Sequence, residues 1–186
     1  MDDTRFLEDL RARHNAGEAF KYVYFWGHQS EGHEITAACF SQWYEAPFEI
    51  DGLRYPTAEH YMMAEKAALF GDADIRARVL EAPNPGTAKA MGRSVRGFDE
   101  ALWRQHRFAI VVRANVAKFG QNPDLGRYLA GTGSRILVEA SPVDPVWGIG
   151  LARNDERAGD PNRWLGLNLL GFALMQVRGQ LPQSGS

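Results

Sequence analysis

Residues 56–72, PTAEHYMMAEKAALFGD, decide how the chain is read. Thr57 can cap this stretch and Gly71 can stop it, so it predicts a helix. At about 100° per residue, Glu59, Met62, Met63, Lys66, Leu69 and Phe70 fall within about a third of the helix circumference. The stripe expected to face a core therefore carries an acid and a base. Seven residues is close to two turns, which puts Glu59 and Lys66 on nearly the same side, about 10 Å apart along the axis. Helical side chains lean toward the N-terminus, tilting Lys66 toward Glu59. The positions three and four away from Lys66 are Met62, Met63, Leu69 and Phe70, so neither charge has a partner on its own helix. Burying an unpaired charge is expensive. Each must meet water at a cleft, another element, or a ligand. The plainer alternative is that Lys66 snorkels outward along its stem and Glu59 only complements the helix N-terminus.

Outward from this helix, residues 3–14 predict a short amphipathic helix ending at Asn15-Ala16-Gly17, and KYVYFWGH (21–28) is strand-like. The polar stretch 29–34 reads as a loop. Two short extended runs flank Asp51-Gly52, a strong hairpin signal. Further helices are expected at 72–82, 85–92, 99–118 with Asp99 as cap, and 122–130. SRILVEA (134–140) reads as a short buried strand, VDPVWGIG (143–150) as a loop, and 163–181 as a long apolar helix. Residues 182–186 read as a polar tail. The expectation is a mainly α domain of α+β type with a small β element, spanning 21–181 behind a helical extension at 1–20.

At 186 residues and 45% hydrophobic composition, one well-buried core is the default. The net charge of −2 gives no overall cationic field of the kind non-specific nucleic-acid binders use. Charge is uneven, however. Residues 88–135 hold nine Lys or Arg against three acids, a surplus of six, which leaves the remainder at −8. This is either a set of solvated helix faces or a surface for an anion such as phosphate. The single cysteine, Cys39, excludes an intrachain disulfide, and the five histidines form no metal-binding pair, so no metal or cofactor is expected. No signal-like or membrane-length apolar run occurs. The chain reads as cytoplasmic, with no membrane partner.

The loop 141–150, SPVDPVWGIG, joins two prolines that fix the backbone, two glycines that permit close approach and a Trp that offers a stacking face. Asp144 either starts a turn there or serves a ligand. Trp26-Gly27-His28, at the end of the first strand, is a third candidate, in which a lone His28 is more often a structural or surface histidine than a catalyst.

In order along the chain, YFWGH, FSQWYEAPFEIDGLRYPTAEHYMMAEKAALFGD, AKAMGR, WRQHRF, KFGQNPDL, LVEASPVDPVWGIG and NLLGFALMQVR resemble the NADAR (NAD and ADP-ribose), or YbiA-like, family. The resemblance spans about residues 22–180. It implies a compact, largely helical fold and an enzyme that cleaves N-glycosidic bonds to ribose. Two substrate classes are implied: phosphoribosylamino-pyrimidine intermediates of riboflavin biosynthesis, and ADP-ribose attached to guanine in nucleotides or nucleic acid. Carried over by motif, Glu59, Lys66 and Asp144 are the expected catalytic residues. Trp26, Gly27, Trp147 and Gly148 are the expected substrate-binding residues, with Arg93 and Arg107 holding phosphate.

The chemistry suits those types. Departure of an amine from ribose C1 leaves an oxocarbenium-like carbon, so a carboxylate, Glu59 or Asp144, can stabilise charge or move protons. A desolvated Lys66 can instead attack C1 of the opened sugar and form a Schiff base. The sequence carries no deaminase- or reductase-like segment that would tie it to riboflavin synthesis. It also lacks a basic tail for tight duplex binding, which favours ADP-ribosyl-guanine as a nucleotide or a single exposed base. A non-catalytic ADP-ribose reader is the alternative of another class.

Overall fold

The computed structural model describes residues 3–29 and 34–181; most of the predicted polar loop at 29–34, with His33, and the predicted tail at 182–186 lie outside them. The described chain is an α+β domain of seven helices and four short strands. Helix α1 (Arg5–Asn15) leads into strand β1 (Tyr22–Phe25), a 3-10 turn (Ala37–Phe40) and the hairpin β2 (Phe48–Ile50) and β3 (Leu53–Tyr55). Helices α2 (Ala58–Leu69), α3 (Ala73–Leu80), α4 (Pro85–Arg93), α5 (Glu100–Gln121) and α6 (Pro123–Ala130) follow, then strand β4 (Ile136–Glu139) and helix α7 (Leu169–Gln180).

Local chemistry sets the helix starts. Asp72, Asn84 and Asp99 each accept a backbone N–H three residues on, at Ile75, Thr87 and Leu102, leaving fewer orphan donors in each first turn. Asp51 and Gly52 both take positive φ, 53° and 75°, as a two-residue hairpin turn requires.

The core forms where α2 packs on α3, α4 and α5, and where α7 packs on α5 and β4. Helix α2 is buried on nearly every side: Ala58, Glu59, His60, Tyr61, Met62, Met63, Ala64 and Ala67 are all buried. The one-sided stripe expected from periodicity understates this. A helix enclosed by three others has little outer face left for solvent.

The β element is two separate pieces. β2 and β3 pair antiparallel, and β1 pairs parallel with β4, Phe25 opposite Glu139. This parallel pair joins segments more than a hundred residues apart and sends both carboxyl ends toward the same edge. The predicted helix at 163–181 is shorter than its apolar pattern. Residues 164–168 form a loop instead, Trp164, Gly166 and Asn168 buried and Leu165 exposed, with Leu165, Leu167 and Asn168 donating backbone N–H groups to Ile149, Pro145 and Gly148.

Helix α1 is docked onto the rest. Leu7 and Leu10 are buried, and the Phe6 ring stacks on Phe108 and Phe172 with centroids 4.6 and 5.5 Å away. Among the described residues, no helix is long and apolar enough to cross a membrane.

Candidate active site

A cleft of about 450 Å³ opens between α2, α4, the start of α5, the end of β4 and the 141–150 loop. Helix α2 supplies one wall with Glu59, Met62, Met63 and Lys66, four positions on the side foreseen from their spacing. Asp144 and Trp147 face it from the loop, and Lys89 and Arg93 from α4. The structure thus brings Glu59, Lys66, Asp144, Trp147, Arg93 and Arg107 to one cleft.

Glu59 lies at the buried base, its backbone N–H donating to Gln42 O at 3.0 Å. Its Oε1 is buried with no protein partner. Burial raises its pKa to about 7; the charge of Lys89, a hydrogen bond from Trp43 and the charge of Arg93 pull against that rise, while the charge of Asp144 adds to it. Lys66 is half-buried, its Nζ 4.2 Å from the Phe98 ring centroid and 5.7 Å from that of Trp103. Burial among these rings lowers its pKa and Arg93 lowers it further, against the pull of Glu100. Desolvation therefore moves the acid and the base of α2 toward neutrality from opposite sides.

Asp144 Oδ1 accepts from the backbone N–H groups of Val146 and Trp147 at 2.9 and 2.8 Å. Turn former and cleft residue are thus one role, since the turn is what aims Trp147 into the cleft. Gly148 does not line it. A Cβ there would sit 2.8 Å from Glu139 O and 3.1 Å from Asp144 O, so the glycine lets the loop lie against β4.

Two expected residues are elsewhere. Phe25 turns into the core, and Trp26, next along the extended chain, turns outward into a different cleft. Gly27, at φ 80°, makes the turn after it. Arg107 borders the cleft, but its Nε and Nη2 donate to Asp3 Oδ2 at 2.8 and 2.5 Å, both side chains nearly buried. A guanidinium so deeply desolvated is held by a fixed carboxylate, not left open for phosphate.

The basic run divides similarly. Arg96 pairs with Asp72 and Asp74, Arg104 with Glu100, Arg113 with Asp51, and Arg127 with Asp124. Lys118 is buried and donates to Cys39 O and Ser41 O at 2.7 and 2.8 Å, fixing the turn that carries Gln42 and Trp43. Lys89 and Arg93 are the run's cations that enter the cleft without a carboxylate partner among the described residues.

Sequence reasoning missed Glu139. It ends β4 inside the cleft, with Oε2 buried and unpartnered. Burial raises its pKa to about 8, Asp144 and Glu59 raise it further, and Lys89 opposes them. The available signal was a lone acid closing the apolar run ILV, at the carboxyl end of a strand where open α/β sheets bind ligands. Lys89 and Trp43 were also missed; the Lys89 Nζ lies 5.8 Å from the Trp43 ring centroid. Among the described residues, no group of three or more His, Cys, Asp or Glu could hold a metal ion.

Buried acids, a desolvated lysine and cations without a carboxylate partner among the described residues meet around one cleft, an arrangement able to move protons and to hold an anion. Comparison with known proteins narrows this. The family model described as the NADAR domain matches residues 24–182, and the chain belongs to that family. It is 41% identical over 171 residues to N-glycosidase R617 of Acanthamoeba polyphaga mimivirus, covering 89% of this chain and 99% of that protein. N-glycosidase YbiA of Escherichia coli is 32% identical over 142 residues, 76% of this chain and 80% of YbiA. The chloroplastic riboflavin biosynthesis protein PYRR of Zea mays is 36% identical over 138 residues, 70% of this chain and 20% of that protein. The NMR structure of E. coli YbiA aligns with a TM-score of 0.66 at 28% identity, covering 86% of this chain and 83% of that one. With these relatives, the chain is a hydrolase of N-glycosyl bonds.

Proposed function

We propose that this N-glycosidase removes ADP-ribose from ADP-ribosylated guanine, with Glu59, Lys66 and Asp144 as catalytic residues. The observation that carries the reading is the buried Glu59, one oxygen unpartnered, two turns from a desolvated Lys66 on the same cleft wall.

The three residues divide the work by environment. Glu59, with a pKa of about 7, is partly protonated at neutral pH, and that form delivers its proton to the departing guanine nitrogen. Asp144, already accepting two N–H bonds, presents carboxylate charge to the electron-poor C1. Lys66 attacks C1 of the ring-opened sugar as a neutral amine; the guanine amine leaves with a proton, and water hydrolyses the resulting imine to free ADP-ribose and lysine. Trp147 and Trp43 offer faces for the base, and Arg93 with Lys89 meets the phosphates.

The second reading is cleavage of phosphoribosylamino-pyrimidines, supported by the likeness to the maize riboflavin protein. The experiment is a parallel incubation of wild type and Lys66→Ala with ADP-ribosyl-guanosine and with the phosphoribosylamino-pyrimidine. Mass spectrometry follows product, and borohydride traps any imine. The expected result is ADP-ribose released from guanosine, with an adduct in wild type alone. Cleavage of only the pyrimidine transfers the assignment to the second reading. ADP-ribose binding with no turnover of either substrate leaves a reader.

A further inference from the structure

The cleft that receives Trp26, about 360 Å³ in volume, opens beside the catalytic one. Tyr24, Trp26, Thr36, Ala140 and Arg153 are among its walls. The two clefts share their partitions. Ala140 directly follows Glu139 of the catalytic cleft, and the turn Ala37–Phe40 runs straight into its Ser41, Gln42 and Trp43. His28, two residues after Trp26, places its ring 5.6 Å from that of Trp43. Both hollows therefore flank the carboxyl ends of the parallel pair β1 and β4.

Trp26 is 62% exposed, so its indole contributes little to the core. Arg153 is exposed and has no carboxylate partner among the described residues. Its charge reaches the Tyr24 phenol, whose hydroxyl donates to Ala158 O at 3.2 Å. An open indole face with an unpaired guanidinium in one hollow suits an aromatic base that carries a phosphate. Base–aromatic stacking is sequence-tolerant, and guanidinium takes phosphate in bidentate fashion.

We propose that this hollow is a second nucleobase subsite, in which a base stacks on Trp26 and its phosphate pairs with Arg153 while the scissile ribose lies in the neighbouring cleft. The inference rests on the nucleotide reading of the catalytic cleft. The base has two sources with the same chemistry: the adenosine half of the ADP-ribosyl group, or the nucleotide next to the modified guanine in a single strand.

The test compares wild type, Trp26→Leu, Trp26→Phe and Arg153→Ala on ADP-ribosyl-guanosine and on a single-stranded oligonucleotide carrying one ADP-ribosylated guanine. KM is expected to rise about ten-fold in Trp26→Leu, the loss of one stacked base, with kcat unchanged and Trp26→Phe restoring most of the affinity. A rise on both substrates assigns the subsite to adenosine; a rise on the oligonucleotide alone assigns it to the neighbouring nucleotide. Unchanged KM on both overturns the proposal. If wild type cleaves neither, the Trp26 indole N–H resonance is followed while AMP and an unmodified oligonucleotide are titrated in. A shift with either probe, lost in Arg153→Ala, upholds the subsite although the substrate assignment has failed; no shift with either overturns it.

Discussion

At the scale of single residues, the α2 acid and base make separable predictions. Glu59→Gln keeps the shape and removes the proton carrier, so kcat is expected to fall by about 10²- to 10⁴-fold, the usual range for general acid catalysis, with KM little changed. In wild type, kcat should decline as pH rises through about 7, where Glu59 loses its proton. Lys89 is the strongest opposing influence on that acid; removing its charge in Lys89→Met should move the alkaline limb of the pH–rate profile to higher pH. A limb that stays in place would assign the titration to another group. Lys66→Arg retains a cation beside Phe98 and loses the nucleophilic amine. It should bind ADP-ribose but give no borohydride adduct, and an adduct in this variant would remove Lys66 from the covalent step. These roles were partly legible beforehand because seven-residue spacing is a local property. Glu139 was not, because only the pairing of β4 with β1 and the fold of the loop over it bury that carboxyl.

At the scale of elements, the cleft depends on how closely α7 approaches β4. A Cβ on Gly171 would collide with the Leu137 carbonyl oxygen and the Asn168 side chain. Asn168, at φ 54°, donates from Nδ2 to Leu137 O at 2.9 Å and accepts the Glu139 N–H at 3.0 Å. Backbone and amide cannot retreat as a flexible side-chain tip can. Gly171→Ala is therefore expected to cost about 3 kcal/mol in chemical denaturation, the upper part of the overpacking range, and to reduce activity by shifting Glu139. Near-wild-type stability would mean that α7 can slide along β4. Most helices were readable from caps and spacing, since Thr57, Asp72, Asn84 and Asp99 act within three residues of themselves. The start of α7 was not readable. Trp164 and Leu167 look helical in an apolar pattern, yet Trp164 is buried by sending its indole N–H to Ala158 O at 2.8 Å. Loop and helix can bury the same residue types, and only long-range partners separate them.

For the whole molecule, the buried acids tie the site to stability. The pKa values of Glu59 and Glu139 rise from 4.5 to about 7 and about 8 on folding. A raised carboxyl binds its proton more tightly in the folded state, so its stabilising contribution is complete below about pH 4.5 and is lost as pH climbs through 7 to 8. For Glu59 alone the rise converts to on the order of 3 kcal/mol. Two other buried groups act in the opposite sense: His60 is lowered by burial, and Lys118 is brought down to about 7 by burial. Both gain relative stability with rising pH, so the wild-type curve alone mixes the contributions. The difference between wild type and a Glu59→Gln, Glu139→Gln double variant cancels them, because His60 and Lys118 are present in both. Urea unfolding at pH 5 and pH 8.5 should show the double variant gaining a few kcal/mol on wild type across that interval, even if it is the less stable of the two at pH 5. Parallel curves would place both carboxyls in water-like surroundings and remove the physical basis for Glu59 as a proton donor at neutral pH. A divergence of the expected sign would mean that the fold sacrifices stability at neutral pH to keep two acids dry beside Lys89, as expected of a pocket built for proton transfer rather than for holding itself together.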